Sequence, residues 1–470
     1  MADVLRAGHE DWFSDARNAV ARALSEFLAV PSCIIVGFLA AAAGTYLLDR
    51  ANPAWLAPAR ELLRTQVFAK STGTSNLLSA IAGGLMTVTS ITISLLLLAL
   101  QQSAANMTAQ VFDQFLRRRL NQAYFGFFIG LALYTIVTLA TVTESLNPVF
   151  GAALAVLLTV VALYLLIVLL YTTVNQMRPA QIIQAIHDHA LAARECHLRL
   201  VRKTRRTPEC DGHTIVPVRA GVAGFVARID VDAIGRAARE LPGGAEVELI
   251  VAVGSYVAYH DVIAVGKART PGNADALTKV TLDAVILETQ RDIATDCAYG
   301  VEQLAMIGWT CISSAKSNPA AGLLTIRALR DIMAHWSAEK EEERQSAILP
   351  VVYADNSFEQ LMDAFESLAV ASSESLQHQA FAEVILTFAT MYQRLPPERQ
   401  PRAEDLILRV LSALGDHVLT RDLNTALTDL VHTLTACGRL ETAALVGVAQ
   451  EKLQHSVGKL NSRSTRVPGQ

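Results

Sequence analysis

Three apolar stretches decide the architecture: LLSAIAGGLMTVTSITISLLLLAL (residues 77–100), AYFGFFIGLALYTIVTLATV (residues 123–142) and VFGAALAVLLTVVALYLLIVLLY (residues 149–171). Between Lys70 and Arg178 only five residues are charged, namely Asp113, Arg117, Arg118, Arg119 and Glu144, and none falls inside a stretch. A bilayer core of about 30 Å is crossed by ~20 apolar residues in a helix. Each stretch is therefore long enough to span. A fourth, residues 31–48, precedes them and opens with Pro31, which suits a first helical turn. The chain reads as a membrane protein with four transmembrane helices.

The connections set the expected topology. Residues 143–148 are a tight link holding Glu144, Asn147 and Pro148, so the third and fourth spans form an antiparallel hairpin. Positive residues accumulate on the cytoplasmic side of bilayers. The link after the second span carries Arg117, Arg118 and Arg119, and the segment after the fourth carries Arg178, Arg194, Arg199, Arg202, Lys203, Arg205 and Arg206. Four spans put both termini on one side, and these charges put that side in the cytoplasm. Residues 49–76, with Arg50, Arg60, Arg64 and Lys70, oppose this bias. The two basic clusters agree with each other and sit close to span ends, so they outweigh it.

The second span is unusually polar. Ala80, Gly83, Thr87, Ser90, Ser94 and Gln101 recur at three-, four- and seven-residue steps and share one helix face. Small hydroxylated stripes serve close helix packing or line a permeation path; both readings stand at this stage. The charge-free run continues from Ser71 to Phe112, which predicts a helix extending beyond the bilayer. Gly126 and Gly130 form a GxxxG pair that favours close helix contact. No span, as bounded above, contains an ionisable side chain, which argues against coupled transport.

The remainder reads as α+β. Residues 1–29 are an expected amphipathic segment with no leader-like apolar core, and residues 30–200 hold the spans and a juxtamembrane helix. Residues 201–272 form a small β-rich module. Period-two strands are expected at 214–220, 222–229, 247–253, 256–259 and 262–265, with Asp230 capping a helix over 231–241. Residues 273–457 form an all-α domain of seven or eight helices, broken near Pro319, Pro350, Pro396 and Gly438, and 458–470 is a disordered tail. The acidic run at 339–344 reads as a solvated face. His187 and His189, two apart on a helix, face opposite sides and make no metal site.

Several function classes are excluded by composition. The net charge of −4 lacks the basic field of a nucleic-acid binder. The six cysteines include no CxxC pair, so neither a disulfide framework nor a zinc site is expected. No phosphate-binding loop, nucleophile elbow or zinc-protease motif appears, and we expect no enzyme activity, catalytic residue or cofactor.

The stretch RDIATDCAYGVEQLAMIGWTCISSAKSNPAAG, residues 291–322, resembles the central signature of the bacterial predicted-membrane-protein family known as domain of unknown function 2254. Arg291, Asp296, Gly300, Ser313 and Pro319 match it, with Tyr299 near the family's aromatic; Ser317–Asn318 stands where the family has Asn–Asp. The spans and AGFVARID (residues 223–230) are similar as well, and the likeness covers roughly residues 30–440. It implies bacterial inner-membrane topology and no known activity. Arg291, Asp296, Asn318 and Pro319 are regulatory or structural candidates. At helical spacing Arg291 and Asp296 would lie about 140° apart, which argues against a direct pair. The expected function is an oligomeric channel-like protein, with Gly83, Thr87, Ser90, Ser94 and Gln101 as pore-lining candidates passing an ion or small solute. A membrane-anchored sensor or scaffold is the alternative.

Overall fold

The computed structural model describes residues 28–456, except 107–118, 145, 177, 210–213, 242–243, 270, 314–318, 340–347 and 415–416. The expected amphipathic N-terminal segment, Arg117, Arg118, Asn318, most of the acidic run and the tail lie outside the described residues. The chain divides into two compact units, Met1–Arg178 and Pro179–Gln470.

The first unit contains α1 (Ala29–Ala51), a short amphipathic α2 (Ala57–Gln66), α3 (Ser71–Asn106), α4 (Arg119–Ala140) and α5 (Val149–Gln176). Among them α1, α3, α4 and α5 are long and apolar enough to cross a membrane, so all four expected spans are present. The helix of the second span runs past Leu100: α3 has 36 residues, about 54 Å at ~1.5 Å per residue, and the rest of the run expected to Phe112 lies outside the described residues. Leu78 and Leu85 of α3, Phe128, Leu131 and Tyr134 of α4, and Ala152 and Ala155 of α5 form the buried centre. Lipid tails are as apolar as leucine, so close packing holds such helices together. The GxxxG pair supplies it. A Cβ on Gly126 would lie 2.7 Å from the Pro31 backbone, and one on Gly130 would lie 2.5 Å from the Phe38 ring.

Among the described residues of this unit, one charged side chain is buried. The apolar run ends at Leu48, but α1 continues to Ala51 and carries Asp49, which is 2% exposed. The expectation that no ionisable side chain lies within a span is therefore corrected at this helix end. Asp49 accepts hydrogen bonds from the Phe150 and Gly151 amides at 3.1 and 3.0 Å. These are orphan donors in the first turn of α5, so Asp49 caps another helix from a distance of 101 residues in sequence. The Tyr134 hydroxyl donates to the Gly151 carbonyl at 3.0 Å beside it.

The second unit begins with α6 (Pro179–Lys203), which the sequence reading grouped with the spans. Strands β1 (Thr214–Arg219) and β2 (Gly224–Ile229) follow, then α7 (Val231–Glu240), β3 (Ala245–Leu249), β4 (Tyr256–Val257) and β5 (Val262–Ala268). As expected, Asp230 caps α7, its carboxylate accepting from the Ala233 amide at 3.0 Å. Next come α8 (Pro271–Ala284), β6 (Val285–Glu288), α9 (Cys297–Ser313), α10 (Pro319–Ser337), β7 (Val351–Tyr353), α11 (Ser357–Glu374), α12 (His378–Met391), α13 (Gln400–Ser412), α14 (Arg421–Ala436) and α15 (Leu440–Ser456).

The strands make two sheets, ordered β1-β5-β3-β7 and β4-β2-β6. All pairs are antiparallel except β3 with β7. The β module is thus not contiguous in sequence. Both β6 and β7 come from the stretch read as purely helical, and β7 enters where Pro350 had marked only a helix break.

Candidate functional site

The hydroxyl stripe on α3 lies opposite that helix's packing face. Leu78, Ala82, Leu85 and Thr92 are buried against the unit, whereas Gly83, Thr87, Ser90, Ser94 and Gln101 are all exposed. At 100° per residue the two groups are about half a turn apart. A Cβ on Gly83 would meet nothing within 4 Å. Thr87 and Ser94 donate their hydroxyl protons to the Gly83 and Ser90 carbonyls, at 2.8 and 2.9 Å. That leaves oxygen lone pairs facing outward between the exposed apolar flanks Leu77, Met86, Ile91 and Leu97. Among the described residues the stripe does not serve packing.

Arg291 and Asp296 do pair, contrary to the expectation from helical spacing. Residues 289–296 form a turn, and α9 starts only at Cys297, so the helical projection does not apply. Arg291 Nε donates to Asp296 Oδ2 at 2.7 Å, while Asp296 Oδ1 caps α9 by accepting from the Tyr299 amide at 3.0 Å. The Arg291 guanidinium also meets Glu302 and lies 4.5 Å over the Tyr299 ring. Burial opposes its charge, but the hydrogen bond and charge of Asp296, with Glu302, outweigh this and hold its pKa above the ordinary value. Gly254, at φ +86°, brings its backbone against this pair, and a side chain there would collide with both partners. The plain role is a braced helix start.

Pro319 occupies the first position of α10, beyond the far end of α9. Seventeen helical residues, about 25 Å, separate it from Asp296. The family-signature residues therefore do not converge on one site. Beside Arg291 a cleft of about 450 Å³ is lined by Glu302, Met306, Trp309, Gln360 and Asp363. Trp309 and Met306 are half exposed on its wall.

A buried ionic cluster escaped the sequence reading. Arg194 of α6 is 3% exposed and hydrogen-bonds both Glu339 oxygens at 2.8 Å. It also ion-pairs with Asp355 at 2.8 Å and lies 5.0 Å over the Trp336 ring. His197, one helical turn on, reaches Asp355 at 3.4 Å. Burial opposes the Asp355 charge, but the His197 hydrogen bond and Arg194 overcome this and keep its carboxyl far below the usual range. Burial pushes the neighbouring Cys297 thiol up to about 11, which makes it a poor nucleophile. The one available signal was Arg194 and His197 at i, i+3 on a helix; their acidic partners lie 145 or more residues away. Among the described residues no three His, Cys, Asp or Glu side chains are placed to hold a metal.

Four apolar spans followed by a large α+β unit with braced ionic clusters define an integral membrane protein with an extramembrane unit. The chain belongs to the family of predicted membrane proteins designated DUF2254, whose sequence pattern matches residues 25–380. No curated protein and no solved structure matches it.

Proposed function

We propose that the protein is a homo-oligomer of the bacterial inner membrane in which the α3 stripe faces other copies and lines a path for an ion or small polar solute. The supporting observation is the position of the stripe, exposed and opposite the packing face of α3. Oxygen lone pairs turned toward lipid find no partner; turned toward other copies they meet water or a solute. The basic residues flanking the spans favour a cytosolic extramembrane unit, with both termini on that side. In this reading that unit assembles or gates the path and performs no catalysis.

Single-cysteine variants test it. With the exposed Cys33 and Cys196 replaced, Thr87→Cys and Ser90→Cys should crosslink between copies and react with a charged thiol reagent that also blocks flux in proteoliposomes. Ile91→Cys, on the apolar flank, should not react. Absence of both crosslinks and flux would overturn the proposal. A second reading, a membrane-anchored sensor or scaffold, draws support from the cleft beside Arg291. It predicts that the Pro179–Gln470 unit alone binds its partner with full affinity.

A further inference from the structure

A second cleft, of about 360 Å³, is lined by Arg327, Arg330, Asp331 and Ala334 of α10 and by Thr390, Met391 and Arg394 at the end of α12. The α10 residues fall at i, i+3, i+4 and i+7, so they share one face. The turn Tyr392–Arg394 then brings a third guanidinium to the same space.

The charges here are unequal. Glu383 takes Arg327 on both oxygens, at 3.1 and 3.0 Å, and meets Arg330 at 3.3 Å. Asp331 is held by His187 at 2.8 Å, with His335 at 3.5 Å. Among the described residues no carboxylate ion-pairs with Arg394, which is exposed. Three guanidiniums thus face two carboxylates that are already engaged. Guanidinium forks match the oxygens of a phosphoryl group, which offers more acceptors than one carboxylate. The volume suits a compact ligand, and Met391 and Ala334 give it a small apolar wall.

We infer that this cleft binds the phosphoryl group of a small anion, held by Arg330 and Arg394 with Arg327 alongside. The inference stands apart from the proposed path through the membrane, because it concerns only the extramembrane unit. It also has a structural consequence. Asp331 ties the cleft to His187 on α6, the helix that follows the fourth span in sequence. A ligand that displaces Asp331 acts directly on that helix.

The test uses the full chain in phosphatidylcholine nanodiscs, with inorganic pyrophosphate as the probe and calorimetry as the readout. Saturable binding at one site per chain is expected. Arg394→Ala and Arg330→Ala should each weaken it by ~10-fold or more, since charge-assisted bonds are lost. Arg402→Ala should not; its guanidinium is engaged with Glu359, Asp363 and Asp405. A melting temperature equal to wild type confirms that the Arg394→Ala chain is folded. Repeating the titration with phosphatidylglycerol distinguishes two sources of the same group. Competition by that lipid identifies a headgroup as the ligand, and unchanged binding identifies a soluble phosphorylated molecule. No saturable binding in phosphatidylcholine, or wild-type affinity in both arginine variants, would overturn the inference.

Discussion

At the scale of single residues, the fold uses two side chains in ways that can be titrated or removed. His417 is 3% exposed, with its ring 4.2 Å from Phe381 and its Nδ1 3.0 Å from Nδ1 of His378. Two nitrogens at that distance share one proton, and the Val418 amide also points at the His378 nitrogen. His417 therefore donates and His378 accepts, which requires the His378 ring to be neutral. Burial, with His378 beside it, lowers the His417 pKa to about 4, and burial lowers that of His378. A depressed histidine pKa contributes stability that is complete above the unfolded value near 6.5 and is lost as pH falls toward the folded value. The melting temperature should fall between pH 6.5 and 4 by the equivalent of roughly 1–3 kcal/mol. His417→Phe, which keeps a ring against Phe381, should remove that component. Asp355 does not contribute in this window, because its stability is lost only as pH falls below the unfolded carboxylate value. Asp49 is the second case. Asp49→Ala removes both acceptors from the α5 amides and should cost about 1–2 kcal/mol of thermal stability in detergent. Asp49→Asn should recover about half, since one amide oxygen remains.

At the scale of elements, the two glycine-bearing helix faces make opposite demands. On α4 a Cβ at Gly130 would be 2.5 Å from the Phe38 ring, so Gly130→Ala should destabilise the chain by about 1–3 kcal/mol. On α3 a Cβ at Gly83 meets nothing, so Gly83→Leu should leave the melting temperature of the isolated chain unchanged. If copies pack on that face, it should shift the oligomeric state seen by light scattering. The spans were legible because hydropathy and length alone specify them. The Asp230 cap was legible because it acts three residues away. Other features had no local signal. Asp49 follows an apolar run and reads as a loop, since its partners lie on α5. The three residues of β7 and four of β6 are too short for a period to emerge, and their pairings cross long stretches of chain. The Arg291–Asp296 pair was misjudged because a helix was assumed where a turn precedes α9. Arg327, Arg330 and Arg394 line one cleft only because α12 folds back along α10.

At the scale of the whole molecule, the division at Arg178 and Pro179 makes α6 part of the second unit. Its Ile182, Ile183, Ile186, Ala190 and Ala193 are buried there. Its close approach to α9 is built in, since a Cβ on Gly300 would lie 2.7 Å from that of Ala190. Each buried isoleucine contributes ~1.5–3 kcal/mol. Removing Arg194 also leaves Glu339 and Asp355 without their buried cation, and breaking such a pair costs about 3–5 kcal/mol. Together these losses match or exceed the ~5–15 kcal/mol that holds a typical domain folded. A fragment starting at Pro179 should therefore be soluble and unfold cooperatively. One starting at Val201, past most of α6, should be aggregated or unfolded. Equal stability of the two fragments in urea would show that α6 is dispensable, and the ionic cluster with it. The intermediate variant Arg194→Met in the longer fragment separates the two contributions. It keeps the helix, its isoleucines and His197 but removes the guanidinium from Glu339 and Asp355, so it should fold with a midpoint well below that of the parent fragment. That deficit should shrink as pH falls and Asp355, with the guanidinium removed, accepts a proton.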